Sequence, residues 1–178
     1  MNATIRGMEN RQQALYWTEL VQLKVDCEYI RRYRDGLAAW ITRFAVIRAV
    51  VSVSALGTWA AVKSYPMLWG GIIAAAQVAD ALQNAIPFAA RFRGTNALCS
   101  ALDALFIDCQ MEWEDIFAGR LDEGEITRRR HKLMTLRLNA DQKNLPNALP
   151  RRDKVLKLAE ADAAAYFKNT FPNEGPLT

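Results

Sequence analysis

Hydrophobic residues recur at helical spacing along most of the chain, and no segment shows the sustained alternation that predicts a β-strand. Residues 9–34 contain neither Gly nor Pro. Their apolar positions at helical spacing are Leu20, Leu23, Cys27 and Ile30. This pattern predicts a first amphipathic helix over about 9–34 that kinks or stops at Asp35-Gly36. The same kind of pattern recurs after residue 93, so the fold class is expected to be all-α.

Two apolar runs lie in the middle of the chain and are separated only by "KSYP". The first, Phe44–Val62, is about nineteen residues long and carries a single charge, Arg48. The second covers residues 67–88. Each is long enough, as a helix, to cross roughly 30 Å of hydrocarbon. A connection this short joins antiparallel neighbours, so the runs predict a two-helix transmembrane hairpin over 44–88.

The charges around this hairpin predict its orientation. Arginines precede the first run and follow the second, whereas the connecting loop holds only Lys63. The flanking arginines are Arg31, Arg32, Arg34 and Arg43 on one side and Arg91 and Arg93 on the other. Because positive charge is retained in the cytoplasm, both termini are expected there, with 1–43 as an N-terminal cytoplasmic helix and 89–178 as a C-terminal cytoplasmic helical region. Three aromatic residues cluster at the loop, where an interfacial belt would lie: Trp59, Tyr65 and Trp69.

A polar stripe runs through the second apolar segment, "GGIIAAAQVADALQNAIPF". Gln77, Asp80 and Asn84 are three or four residues apart and therefore share one helix face. One hairpin cannot hide this stripe from lipid, but a ring of hairpins can turn it toward a common axis. The stripe predicts pore-lining residues in a homo-oligomer. Two alternatives stay open: the stripe holds two helices together, or it faces water in a soluble protein.

The C-terminal region predicts three more helices. They are "NALCSALDALFIDCQMEWEDIFAG", with Gly119 as its C-terminal cap, "DEGEITRRRHKLMTLRLNADQ", and "RDKVLKLAEADAAAYFKNTF". The second of these carries a set of bases that are candidate ligands for phosphate: Arg128, Arg129, Arg130, Lys132 and Arg137. Arginine forks match phosphate geometry. The alternative interpretation is a solvated helix face balanced by Asp122, Glu123 and Glu125.

No recognisable catalytic chemistry accompanies these elements. The sequence contains no nucleophile elbow, phosphate-binding loop or zinc pattern, and its single histidine, His131, lies on a highly charged segment as a solvated residue would. Glu112 and its neighbours Glu114 and Asp115 have no defined partner and are expected on an exposed face. The three cysteines form no C-x-x-C pair and are expected to be buried, reduced thiols. An enzyme and a cofactor are therefore not expected.

The net charge of +4 allows an anionic partner without requiring one. Aromatic residues are not interleaved with the basic group, so a nucleic-acid-binding domain is not expected, and duplex nucleic acid is not an expected partner.

The order of these parts resembles a known family. A long helix with "RRYR" leads into two close apolar segments, and "ALDALFIDCQMEWEDIFAGRLDEGEI" and "TRRRHKLMTL" follow. This arrangement, over about residues 10–140, is similar to the SLATT family of two-transmembrane effectors found beside nucleotide-signalling enzymes in bacterial antiphage systems. The resemblance implies a pore-forming effector of the bacterial inner membrane, gated by a nucleotide second messenger or oligonucleotide. It implies no catalytic residues.

The sequence thus favours a membrane protein whose long cytoplasmic helices form an oligomeric bundle around a gated pore. Two rival hypotheses remain. One is a soluble α-helical bundle that acts as an adaptor or assembly protein. The other is a membrane scaffold that conducts nothing.

Overall fold

The computed structural model describes residues 2–57, 67, 70, 71, 74, 77, 78, 88–145 and 149–172. Four helices are defined within these residues: α1 (Asn2–Gly57), α2 (Phe88–Phe117), α3 (Glu123–Asn144) and α4 (Asp153–Thr170). No strand occurs in this part of the chain. The all-α prediction is confirmed.

The first helix is much longer than predicted. It continues through Asp35-Gly36 to Gly57, so the predicted stop at this pair is wrong. A single glycine inside a helix costs only about 1 kcal/mol relative to alanine. Buried Tyr33 and Leu37 lie one turn apart on either side of the pair, and their packing offsets that cost. An added Cβ at Gly36 would meet no atom within 4 Å, so close contact does not require a glycine here.

The main core forms where the apolar face of α1 meets α2. All four apolar positions predicted on that face, Leu20, Leu23, Cys27 and Ile30, are buried. The α2 side chains in the same cluster include Leu98, Leu102, Phe106, Cys109, Trp113 and Ile116. The three cysteines are buried and free, as the sequence predicted.

Helix α4 joins this core through aromatic and cationic contacts. The ring of Trp17 lies 5.0 Å from that of Phe167, in an edge-on arrangement. Lys24 is buried with its ammonium 4.3 Å from the ring centroid of Tyr166 and 5.0 Å from that of Phe106. Because its charge is also paired with Glu28 at 2.9 Å, the buried ammonium is compensated on several sides.

The turn between α2 and α3 is defined by its capping chemistry. Gly119 has φ +67°, and its N–H donates to Ile116 O while Arg120 N–H donates to Asp115 O, both at 3.0 Å. This Schellman arrangement confirms the predicted glycine cap. Asp122 then caps α3, because its carboxylate accepts from Glu125 N–H at 2.7 Å. The turn fixes the start of the basic helix relative to α2.

The chain divides into two compact units, residues 1–33 with 94–178, and residues 34–93. The second unit contains the predicted transmembrane hairpin, and most of residues 58–87 lies outside the described residues. In the part of the chain that the structure describes, no helix combines the length and the apolar character needed to cross a bilayer.

Candidate functional site

The five predicted phosphate ligands all lie on α3, but they do not form one site. Arg129 and Lys132 point toward α2, whereas Arg137 contacts α1. Arg128 pairs along its own helix with Glu125 at 2.9 Å. The structure therefore separates the basic residues of α3 into side chains that hold the helix in place and side chains that face outward.

Glu112 of α2 is the acceptor for two of these bases. Its side chain is only 18% exposed, and its carboxylate lies 3.8 Å from Arg129 Nη1 and 3.6 Å from Lys132 Nζ. The hydroxyl of Tyr16 donates to the same carboxylate at 3.0 Å. Burial raises the pKa of Tyr16, so its phenol keeps its proton and remains a donor. An anion that binds at Arg129 would have to displace this buried carboxylate.

Arg137 is surrounded by acids of α1. Its guanidinium forms an ion pair with Asp26, and Glu19 lies 4.0 Å away. The Arg137 and Asp26 side chains are each about three-quarters buried. Burial raises the pKa of Asp26. The charge of Arg137 and a 3.0 Å hydrogen bond donated by the Gln22 amide oppose this shift. Burial likewise raises the pKa of Asp141 against the influence of Arg137. Arg137 is thus occupied by carboxylates and ties α3 to α1.

The outward bases are Arg128, Arg130 and Lys132, the last of which is 66% exposed although its ammonium also lies 3.6 Å from Glu112. Arg128 is 75% exposed, and its pair with Glu125 is a surface contact of the kind that contributes at most about 0.5 kcal/mol. Arg130 is half-buried and makes no hydrogen bond or ion pair with the described residues. Of the five predicted ligands, these three have the charge most accessible to an anion.

An open groove of about 610 Å³ lies on the first unit. Its lining residues are Tyr29, Ile30, Leu98, Asp141, Gln142, Leu145 and Leu149. The Tyr29 hydroxyl donates to Pro150 O at 3.3 Å and accepts from Arg152 N–H at 3.2 Å. Asp141 is the lining carboxylate, so the groove combines apolar walls with negative charge. A phosphate would meet repulsion there.

Of the predicted pore-lining residues, only Gln77 is described. It is helical, and its side chain is exposed. Asp80 and Asn84 lie outside the described residues, so their position on a lumen stays a prediction.

Exposed apolar side chains accompany Gln77 in the second unit. They are Trp40, Val46, Ile47, Met67 and Val78, each roughly half exposed or more. The Arg43 guanidinium lies 5.9 Å from the ring centroid of Trp40. This distance is within the range of a cation–π contact.

Sequence reasoning missed the acidic partners of the bases. Glu112 was expected on an exposed face and is instead largely buried with three partners. The expectation of exposure holds for Glu114, whereas Asp115 pairs with Arg120 at 2.8 Å. One sequence feature could have identified Glu112, because it lies beside Cys109, Trp113 and Ile116, the buried face of α2. No comparable signal identifies Glu19 and Asp26 as partners of Arg137, because more than a hundred residues separate them.

Comparisons with protein-family models, with curated proteins and with solved structures each found no match to the chain.

Proposed function

We propose that the protein is a membrane effector that oligomerises into an ion-conducting pore. In this proposal residues 44–88 form the hairpin in the bilayer, and both termini lie in the cytoplasm. Residues 89–178 and the first part of α1 form the cytoplasmic helical unit. An anionic ligand such as a nucleotide second messenger or an oligonucleotide opens the pore, as an effector of bacterial antiphage defence would.

A change of exposure along α1 carries this proposal. From Tyr16 to Leu37 the apolar face of the helix is buried, whereas Trp40, Val46 and Ile47 are each about half exposed on the same continuous helix. Contiguous apolar side chains on a surface mark a contact with protein or membrane. The exposed segment leads directly into the two apolar runs, so a bilayer is the partner that fits its sequence context.

The three outward bases of α3 support the proposed ligand class. Arg128 and Lys132 are one turn apart on the same helix, and Arg130 has no acidic partner among the described residues. A phosphate that pairs with Arg128 replaces a weak surface ion pair, which costs little, and the 66% exposed side chain of Lys132 can reach the same phosphate if its ammonium turns away from Glu112. Arg129 and Arg137 instead stabilise the helical unit. The ligand opens the pore if it binds the open arrangement more tightly than the closed one.

Extraction of membranes with sodium carbonate tests the location. We expect the full-length chain to stay in the membrane pellet, together with a known integral protein and apart from a known peripheral one. Release into the soluble fraction would contradict the membrane proposal and favour the helical adaptor instead.

Thiol labelling tests the orientation. The variant Ser64→Cys should react with an impermeant reagent added to intact spheroplasts, because Ser64 lies in the loop expected outside. If Asn2→Cys reacted and Ser64→Cys did not, the termini would lie outside and the loop in the cytoplasm.

Ion flux through liposomes that contain the purified protein tests conduction. We expect ion flux that rises when oligonucleotides are added. A protein that stays in the carbonate pellet but conducts nothing with or without oligonucleotides would be a scaffold.

A further inference from the structure

The outer face of α2 carries a long exposed seam with alternating spacings of three and four residues. Its members are Ala97, Ser100, Ala104, Ile107, Met111 and Glu114, and all six are exposed. Ile107 and Met111 are 62% and 61% exposed, although both are large apolar side chains. Alternating spacings of three and four place residues along one line of a helix, as in the contact seam of a coiled coil. We call this line the α2 seam.

A second exposed line with the same alternation lies on α3. Thr127, His131, Met134 and Leu138 are spaced four, three and four residues apart, and all are exposed. Met134 and Leu138 are each about half exposed. We call this line the α3 seam.

The two seams face different directions. At about 100° per residue, Met134 and Leu138 lie on the side of α3 opposite to Arg129 and Lys132. The latter two contact Glu112 of α2, so the α3 seam points away from α2. A chain therefore cannot place its own α2 seam on its own α3 seam.

The charges along the two seams are complementary. Glu114 lies in the α2 seam with Asp108 beside it, and neither makes an ion pair with the described residues. His131 lies in the α3 seam, with Arg130 beside it and equally without an acidic partner in the described part of the chain. Packing one α2 seam on another in parallel would instead bring Glu114 against Glu114, and antiparallel packing would leave Glu114 without a basic partner. Opposite charges across a contact favour the correct partner and disfavour the wrong one.

We propose that the α2 seam of one copy of the chain packs against the α3 seam of the next copy. The apolar pair Ile107 and Met111 then meets the apolar pair Met134 and Leu138, while Glu114 faces the basic side of α3. Small side chains at Ala97, Ser100 and Ala104 let the helices approach closely. A contact between two different surfaces repeats from copy to copy and closes into a ring when the rotation permits. This inference rests on the proposed function, because a ring of copies is what a central pore requires.

Charge reversal tests the contact in the full-length chain purified in detergent, with mass measured by light scattering. Glu114→Lys and Arg130→Glu should each weaken the oligomer by about tenfold or more in its dissociation constant. Combining the two changes in one chain should restore assembly, because the opposite charges are exchanged rather than lost. Glu160→Lys, at an exposed position of α4 outside both seams, is the matched control and should leave assembly unchanged. Reversals without effect, or a double variant no better than either single one, would overturn the contact.

Disulfide cross-linking of mixed variants distinguishes the two possible symmetries. Glu114 of one copy facing Arg130 of the next places Met111 opposite Met134, so Met111→Cys and Met134→Cys are purified separately, mixed, and oxidised. We expect a covalent dimer in the mixture and none in either variant alone. A dimer formed by Met111→Cys alone would show that α2 packs on α2 and would overturn the proposal, as would a monomeric wild-type chain.

Carbonate extraction distinguishes failure of the seam contact from failure of the pore proposal. A chain that cross-links as expected but leaves the membrane would retain the seam contact and lose the pore. A chain that stays in the membrane and assembles without the seams would retain the pore proposal and lose the seam contact.

Discussion

Replacing Arg137 by methionine should destabilise the helical unit by about 2 kcal/mol near pH 7.5. Breaking a fully buried ion pair costs about 3–5 kcal/mol, whereas losing an exposed pair costs at most about 1 kcal/mol. The Arg137 and Asp26 side chains are about three-quarters buried, which places their pair between these limits. Methionine keeps most of the apolar stem, so the loss is that of the charge. The carboxylates of Asp26 and Glu19 are then left without their cation.

The size of this effect should depend on pH, with a definite sign. Burial raises the pKa of Asp26 in the folded chain, so the folded state binds the proton more tightly than the unfolded state does. Asp26 therefore favours folding most below its unfolded pKa of about 3.9, and this contribution is lost as the pH rises through the folded pKa. Arg137 opposes the upward shift, so its removal raises the pKa of Asp26 further. The penalty of Arg137→Met should shrink as the pH is lowered from 7.5 to about 4, near the ordinary carboxylate pKa.

Denaturant unfolding of the detergent-solubilised chain, followed by circular dichroism, measures both quantities. The matched control is Arg128→Met on the same helix, which removes an exposed pair and should cost at most about 0.5 kcal/mol at either pH. Adding Asp26→Asn to Arg137→Met should recover much of the loss, because the stranded charge is removed. A penalty equal at both pH values, or a control loss as large as that of Arg137→Met, would refute the reasoning.

Three further substitutions test other parts of the molecule. Gly119→Ala should lower the melting temperature and cost about 1 kcal/mol of stability, because its φ of +67° is unfavourable for alanine. The control Gly36→Ala inside α1 should instead stabilise the fold by up to about 1 kcal/mol. Gly94→Ala should cost about 1–3 kcal/mol in denaturant unfolding, because the added Cβ would lie 2.5 Å from the Asn144 carbonyl oxygen; an unchanged midpoint would show that the two helices separate freely. Asp80→Asn should weaken cation selectivity in liposome flux without changing assembly, and unchanged selectivity would remove Asp80 from the lumen.

Helix composition and capping were predictable because they depend on neighbours in sequence. Gly119 acts within one turn of the segment it caps, so its role was predicted, whereas Asp122 was expected only on a solvated face although its capping contact is equally local. The end of α1 was mispredicted for the opposite reason. Whether a helix passes Gly36 depends on the packing of Tyr33 and Leu37 on either side, which offsets a local cost of about 1 kcal/mol.

The roles of the bases on α3 were not predictable, because their partners are distant in sequence. Arg128 and Arg137 have the same chemistry, yet one pairs within its helix and the other with Asp26 on α1. Only the direction in which α3 presents each side chain separates a base that holds the fold from one that can meet a ligand. That direction is set by the apolar residues Ile126 and Leu133, which α3 buries.

The reactivity of the buried native cysteines measures local opening of the fold without an added label. Burial raises the pKa of Cys27 to about 12 and that of Cys109 to about 11. At pH 7.5 these buried side chains are thiolates far less often than an exposed cysteine, whose pKa is about 8.5. Alkylation of the native thiols must therefore wait for α1 and α2 to separate. Its rate, followed by mass spectrometry, gives the frequency of that separation in the unmodified protein, in the manner of amide exchange.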